Sequence, residues 1–436
     1  MSYVAIDLLE WRDELREGLS FDDDRDARSA ADALTQSGMV GITELRTGLR
    51  VQANSYVGRV ELGGIVITIQ PKIDGLPLWS LLRYAYGLRD LTLLPQYASY
   101  ATASQAFHEL LIRQLAAKAR ELIQRGIHRR YTPRYEDLSS PRGKIDMQVM
   151  ARRGGVTQAA LPCVHRPRLE DCLVNQVLLA GLQLAGRMAV DPLLRIDLHR
   201  LATQLRDDVS SIRLDFHTLR RLGHEMDRLV AAYRPAVAII RVLVASQGVV
   251  FQHEDECWRL PGFLFDMNRF FQALLSRFLR ENLENYIVHD EYSIRGMMEF
   301  VPDYNPRKRG PPVLRPDFVV CTGTKTVATL DAKYRDLWEN GLPRHMLYQL
   351  AVYALTQEAG GRATILYPAQ NPGAREERIR IIRDPILRSA HIRVASPPEV
   401  VLRPVNLKRL SELVAATGPD NRSQRIAFAH ELAGVP

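Results

Sequence analysis

The sequence predicts a multidomain protein mixing α+β and α/β architecture: a β-rich N-terminal domain, a helical middle section and a C-terminal α/β core. Three observations predict it. The chain has 436 residues, more than one ordinary hydrophobic core organises. Between Met39 and Ile73, apolar residues alternate or run together around a Gly63-Gly64 turn signal, the pattern of paired strands. From Phe263 onward the pattern reads helix, strand, strand, strand, helix, strand, the order of a compact α/β core. The expected divisions are residues 1–150, 151–260, 261–400 and a helical tail at 401–436.

Composition narrows the class. Hydrophobic residues make up 46% and charged residues 25%, the balance of a globular chain well supplied with core. No apolar run approaches the ~18 residues of a membrane span, and the amphipathic start MSYVAIDLLEWRDEL is unlike a secretory signal, so a cytoplasmic protein is expected. The net charge is +8, from 58 Lys and Arg against 50 Asp and Glu, which permits nucleic-acid binding without requiring it. The four cysteines show no CxxC pairing and read as reduced thiols; Cys163, His165 and Cys172 lack a fourth partner for zinc.

In chain order, Leu8, Leu9, Trp11 and Leu15 suggest a short amphipathic helix, followed by the acidic run Phe21–Asp26, which reads as a cap or solvated face. Strand patterns cover Leu49–Val60 and Ile65–Ile69, and Pro77 opens a helix to about Tyr86. Phe107, Leu111, Leu115, Ala119 and Leu122 mark a long helix over Ala103–Gln124, stopped by Gly126. The basic stretch that follows, GIHRRYTPRYEDLSSPRGKID, is either a solvated loop or a phosphate-contacting edge. Helices are expected at Asp171–Met188, Pro192–Asp207, Gly223–Ser246 and Phe263–Asn285, then a strand at 286–301. After two further strands come a helix at Pro343–Gln357, strands at Ala363–Tyr367 and Arg378–Ile382, and terminal helices at Leu407–Ala416 and Ser423–Leu432.

The stretch with chemistry in it is VLRPDFVVCTGTKTVATLDAKY, from Val313 to Tyr334. Two β-branched runs meet at the turn Thr322-Gly323-Thr324, the first opening on Pro316-Asp317 and the second closing on Asp331-Ala332-Lys333. Side chains alternate along a strand, so Asp331 and Lys333 emerge on one face with Asp317 in reach from the partner strand. Gln349 and Tyr353 fall one turn apart on the next helix. Two carboxylates suit a hard divalent cation such as Mg²⁺, which polarises a phosphate and acidifies an attacking water. The lysine would orient or deprotonate that water and offset charge on the phosphorane, and Gln349 would hold a water or a phosphate.

Asp317, Asp331 and Lys333 resemble the signature of the PD-(D/E)xK nuclease superfamily, with Gln349 and Tyr353 matching a helix motif of several branches. Four ordered blocks, at 54–73, 125–146, 169–182 and 263–275, are similar to the McrC family, the nuclease subunit of modification-dependent McrBC restriction systems. The resemblance covers about residues 40–385. It implies a Mg²⁺-dependent endonuclease with Asp317 and Asp331 as metal ligands, acting on double-stranded DNA. It implies a McrB-like AAA+ GTPase ring as partner, engaged through the N-terminal domain and binding the GTP. In agreement, the chain carries no GxxxxGK[ST]. Arg307, Lys308, Arg309, Arg315, Arg129 and Arg130 are candidates for the DNA backbone. One departure stands out: a glutamate is expected after the Phe270-Phe271 pair, and the sequence has Gln272. That substitution puts metal affinity in question, leaves Asp266 or Glu291 to compensate, and admits an alternative in which the fold serves as an adaptor and GTPase activator. A third reading pairs the nuclease with a different motor or with RNA.

Overall fold

The computed structural model describes the chain apart from residues 1–3, 23, 73–74, 87–105, 156–158, 246–249, 254–255, 260–261, 295–297, 302–303, 324, 358–360, 370, 383–396 and 417. Some expected elements begin, end or turn at residues 23, 73, 103–105, 246, 261, 295–297 and 324, which lie outside the described residues. The chain forms two compact units. Residues 1–104, 248–260 and 264–436 make one, and 105–247 with 261–263 the other. This grouping differs from divisions at 150, 260 and 400. It joins the N-terminal region to the C-terminal core and assigns the helix Ala106–Gln124 to the middle.

In the first unit, Val4–Leu9 is a strand parallel to Ile65–Gln70, where a helix was expected. The inward residues Ile6 and Leu8 follow a period of two, and Trp11 adopts a left-handed φ of 62° that no continuing helix tolerates. Asp13–Glu17 then pairs with Gly48–Ala53, which also pairs with Val40–Leu45. Tyr56–Leu62 folds back on Ile65–Gln70 across Gly63-Gly64, as the turn signal predicts. The resulting four-stranded sheet runs Val4–Leu9, Ile65–Gln70, Tyr56–Leu62, Gly262–Asp266. Its last strand leads directly into the helix Met267–Asn282, because the Asp266 carboxylate accepts from the main-chain N–H groups of Asn268 and Arg269.

The C-terminal part of this unit is a mixed six-stranded sheet ordered Ile287–Asp290, Phe318–Thr322, Lys325–Ala332, Arg362–Ala369, Glu399–Asn406, Glu377–Arg380. The three strands Lys325–Ala332, Arg362–Ala369 and Glu399–Asn406 run parallel, and the outer pairings are antiparallel. The helix Arg344–Leu355 packs Leu350, Tyr353 and Ala354 on Ala363, Ile365, Val400 and Leu402. The strand expected over 286–301 is shorter, since Glu291 turns out of it with φ 46°. The tail from 401 is not wholly helical: Glu399–Asn406 is an internal strand with Val400, Val401, Leu402 and Val405 buried. Buried Arg403 disguises it in the sequence. Its charge is met by Glu376 at 2.6 Å and its N–H by the Leu432 carbonyl at 2.9 Å. Helices Leu407–Ala415 and Pro419–Ala433 close the unit.

The second unit is helical: Ala106–Gln124, Leu173–Met188, Pro192–Arg206, Phe216–Glu225 and Arg234–Ala245, with a small sheet of Arg134–Leu138, Leu161–His165 and Lys144–Ile145. The expected single helix over 223–246 is two. Asp227 accepts from the main chain of Leu229 and Val230 and turns the chain between them. Gly181 lets its helix approach the one that carries Ile240, where a Cβ would stand 2.4 Å from Ile240 Cδ1. Among the described residues no helix is long and apolar enough to cross a membrane.

Candidate active site

Alternation along Lys325–Ala332 does what the sequence predicts. Asp331 and Lys333 share a face, with Lys333 Nζ 2.8 Å from the Asp331 carboxylate. Ala332 points away, and its N–H donates to Asp317 Oδ2 at 2.7 Å. The same Asp317 oxygen lies 3.5 Å from Lys333 Nζ. Asp317 sits just ahead of Phe318–Thr322, in antiparallel register with Lys325–Ala332, so the hairpin itself brings the two carboxylates together. Asp331 faces Ile365 across the parallel pairing, on the side that carries the helix Arg344–Leu355.

The Asp331 carboxyl is raised to about 6, first by burial and then by the neighbouring Asp317 charge, with Lys333 offsetting part of both. For Lys333, burial works toward neutrality, but the Asp331 and Asp317 carboxylates outweigh it and hold the ammonium above its ordinary range. A desolvated pair of carboxylates with hard oxygen donors favours a compact cation. Asp317 and Asp331 fit that demand. Among the described residues, no third acidic, histidine or cysteine side chain joins them.

Gln272 stands beside the carboxylate pair. It projects from Met267–Asn282, and its Nε2 donates to Asp317 Oδ1 at 3.1 Å. Neither compensating candidate fills in: Asp266 is spent on capping its helix, and Glu291 is exposed with its main-chain N–H on the Asp317 carbonyl at 2.9 Å. Gln349 donates to the Tyr353 hydroxyl at 2.7 Å, and Tyr353 is buried, with its phenol raised first by burial and then by Asp331 and Asp317. These two side chains form a pair beside the carboxylates, with Tyr353 in the core and Gln349 half-exposed.

The expected phosphate contacts divide. Arg307, Lys308, Arg309 and Arg315 are exposed in the segment before Asp317, where Asn305 closes a turn by accepting from Arg309 N and donating to its carbonyl. Arg129 and Arg130 belong to the second unit, paired with Glu170 and Glu225, and line a cavity of about 870 Å³ with His128, Tyr131 and Arg168. Their charge is compensated where they stand.

Comparison with known proteins bears on this arrangement. The chain matches the family described as McrBC 5-methylcytosine restriction system component over residues 51–368. It belongs to that family. The matched region of this McrBC family member contains Gln272, Asp317, Asp331, Lys333, Gln349 and Tyr353. No curated protein matches. Among solved structures, the chain is similar to one from a half-complex of the tetradecameric assembly of Thermococcus gammatolerans McrB AAA+ hexamers with bound McrC. Identity is 20%, covering 98% of this chain and 100% of that one, with a TM-score of 0.54. A chain of the Thermococcus gammatolerans McrBC complex matches at 20% identity and TM-score 0.45, over 64% of this chain and 88% of that one. The first of these likenesses extends the shared fold over nearly the whole chain.

Proposed function

We propose that this McrBC family member is the McrC-type nuclease subunit, a Mg²⁺-dependent endonuclease that cleaves methylcytosine-containing DNA and stimulates the GTPase of a McrB-like AAA+ ring. The observation that carries the reading is the convergence of two carboxylates on one lysine, with Lys333 Nζ 3.5 Å from Asp317 and 2.8 Å from Asp331. Asp317 and Asp331 would hold the ion. When bound, the ion polarises the scissile phosphate and acidifies a water. Lys333 stands where its ammonium donates to phosphoryl oxygens as charge builds on them. Ala332 N–H and Gln272 hold Asp317 in orientation, and Tyr353 fixes Gln349 at the half-exposed rim of the site. Arg307, Lys308, Arg309 and Arg315 supply a cationic approach for the phosphate backbone.

A second reading is favoured by one contact. Gln272 on Asp317 replaces the expected carboxylate with a neutral donor, which suits an adaptor and GTPase activator with weak or no cleavage. The test reconstitutes the complex with its motor, GTP, Mg²⁺ and methylated plasmid. Cleavage by wild type that is lost in Asp331→Ala and Lys333→Ala supports the nuclease. No cleavage by any of the three, with GTP hydrolysis still stimulated, establishes the adaptor. Cleavage by a variant equal to wild type moves the active site elsewhere.

A further inference from the structure

A chain of buried polar contacts adjoins the candidate active site at Tyr334, and the nuclease reading does not use it. Glu10 follows the first strand and is fully buried. Its Oε1 accepts from the Lys72 main-chain N–H at 2.8 Å and from the Tyr334 hydroxyl at 3.0 Å. Its Oε2 is buried with no partner among the described residues. Tyr334, the residue after Lys333, is buried edge-on against Phe271, their centroids 5.9 Å apart. Its main-chain N–H donates to Asn268 Oδ1 at 3.2 Å, and Asn268 Nδ2 donates to the Ser55 hydroxyl at 2.6 Å. Ser55 in turn receives the Met267 N–H on its carbonyl at 2.9 Å.

Such an arrangement is expensive and specific. A buried carboxylate with one unpartnered oxygen is costly to keep ionised, and burial pushes this carboxyl up to about 7. The contacts join residues 324 apart in sequence. Two of the linked residues, Tyr334 and Asn268, stand next to the active-site machinery. Tyr334 adjoins Lys333, and Asn268 precedes Gln272 by one helical turn, with Gln272 on Asp317. Arg335 lies over the Trp11 ring at 5.6 Å, and Trp11 Nε1 is buried with no partner among the described residues. The N-terminal sheet thus grips the end of the strand that carries Asp331 and Lys333 at the point where that strand leaves the sheet.

We infer that Glu10 is a positioning residue for the nuclease centre, acting through Tyr334 to fix Lys333, so that the seating of the N-terminal strand sets the cleavage rate. The inference rests on the nuclease reading. Asp317 and Asp331 are not touched by Glu10, so the metal site should be unaffected while the lysine loses its anchor. A glutamine at position 10 keeps the accepting oxygen, removes the buried charge and sets an NH2 group where Oε2 stands.

The experiment measures methylated-plasmid cleavage by the reconstituted complex at saturating Mg²⁺, together with Mg²⁺ affinity by calorimetry. Glu10→Ala and Tyr334→Phe should each lower kcat at least tenfold, with KM for DNA and Mg²⁺ affinity unchanged. Glu10→Gln should restore kcat to within about threefold. The double variant should be no slower than the worse single one, because both remove the same Tyr334–Glu10 hydrogen bond. If Glu10→Ala fails to fold, Tyr334→Phe decides alone. Wild-type kcat in Tyr334→Phe, additive losses, or a rise in KM without loss of kcat overturns the inference while Lys333→Ala still abolishes cleavage. Cleavage that survives Lys333→Ala removes the nuclease reading itself, and this inference with it.

Discussion

Replacing Gln272 by glutamate tests what the neutral side chain does beside the carboxylate pair. In the present protein Gln272 Nε2 donates to Asp317 Oδ1 at 3.1 Å. Gln272→Glu removes that bond, worth about 1 kcal/mol. It also sets a third negative charge about 4 Å from Asp317, which costs roughly 4 kcal/mol at an effective dielectric near 20 before Lys333 offsets part of it. The metal-free variant should therefore lose about 2–4 kcal/mol, a fall in Tm on the order of 3–7 °C for a unit of this size. Binding of Mg²⁺ reverses the sign, because three carboxylates now share one cation. Affinity should rise about 10- to 100-fold, each tenfold corresponding to about 1.4 kcal/mol. Thermal denaturation in chelator and in Mg²⁺, with calorimetric titration, reads both effects. A variant whose Tm in chelator is unchanged and whose Mg²⁺ affinity does not rise would remove Gln272 from the metal's neighbourhood and Asp317 from its ligands.

Three other outcomes are expected. The Asp331 carboxyl is raised by burial and by Asp317 to about 6, so protons compete with the cation below that pH. Mg²⁺ affinity should fall up to about tenfold per pH unit below about 6 and level off above it, and a flat titration from pH 5 to 8 would contradict this. Glu10 is raised by burial from 4.5 to about 7, so its stabilising contribution is complete below about 4.5 and is lost as pH rises through about 7. Glu10→Gln should therefore gain up to about 3 kcal/mol over wild type between pH 5 and 8, a divergence of the two Tm curves that parallel curves would refute. Replacing Arg307, Lys308 and Arg309 together by alanine should reduce the slope of log affinity for DNA against log salt by about 2.7, at about 0.9 per phosphate contact. An unchanged slope would take those residues off the DNA.

The hairpin was legible in the sequence because its logic is local. Period-two alternation sets Asp331 and Lys333 on one face, and a short turn returns the chain to Asp317. Gln272 was visible as a departure, although only the structure gives its bond to Asp317. Glu10 carried no signal. It sits among Leu8, Leu9, Trp11 and Leu15, whose spacing imitates a helix, and its partners are Lys72 and Tyr334, which no local pattern links to it. Arg403 hid the strand Glu399–Asn406 for a related reason: a charge inside an apolar run reads as surface until Glu376 and the Leu432 carbonyl are found against it. Contacts set by the fold of distant segments were the part that composition and periodicity did not reach.

The order of the N-terminal sheet has a consequence for biosynthesis. Tyr56–Leu62 awaits Gly262–Asp266 as its neighbour, and the intervening stretch includes the whole helical unit. At roughly 5–20 residues per second on the ribosome, the first strands leave the exit tunnel some 10–40 s before the sheet can be completed. During that interval the strand edge is open to pairing with other chains. The helical unit, made in between and continuous in sequence apart from residues 261–263, is positioned to fold first. A slow codon stretch or chaperone contact after residue 247 would bear on the yield of the whole protein, while the same pause after residue 70 would lengthen its exposure.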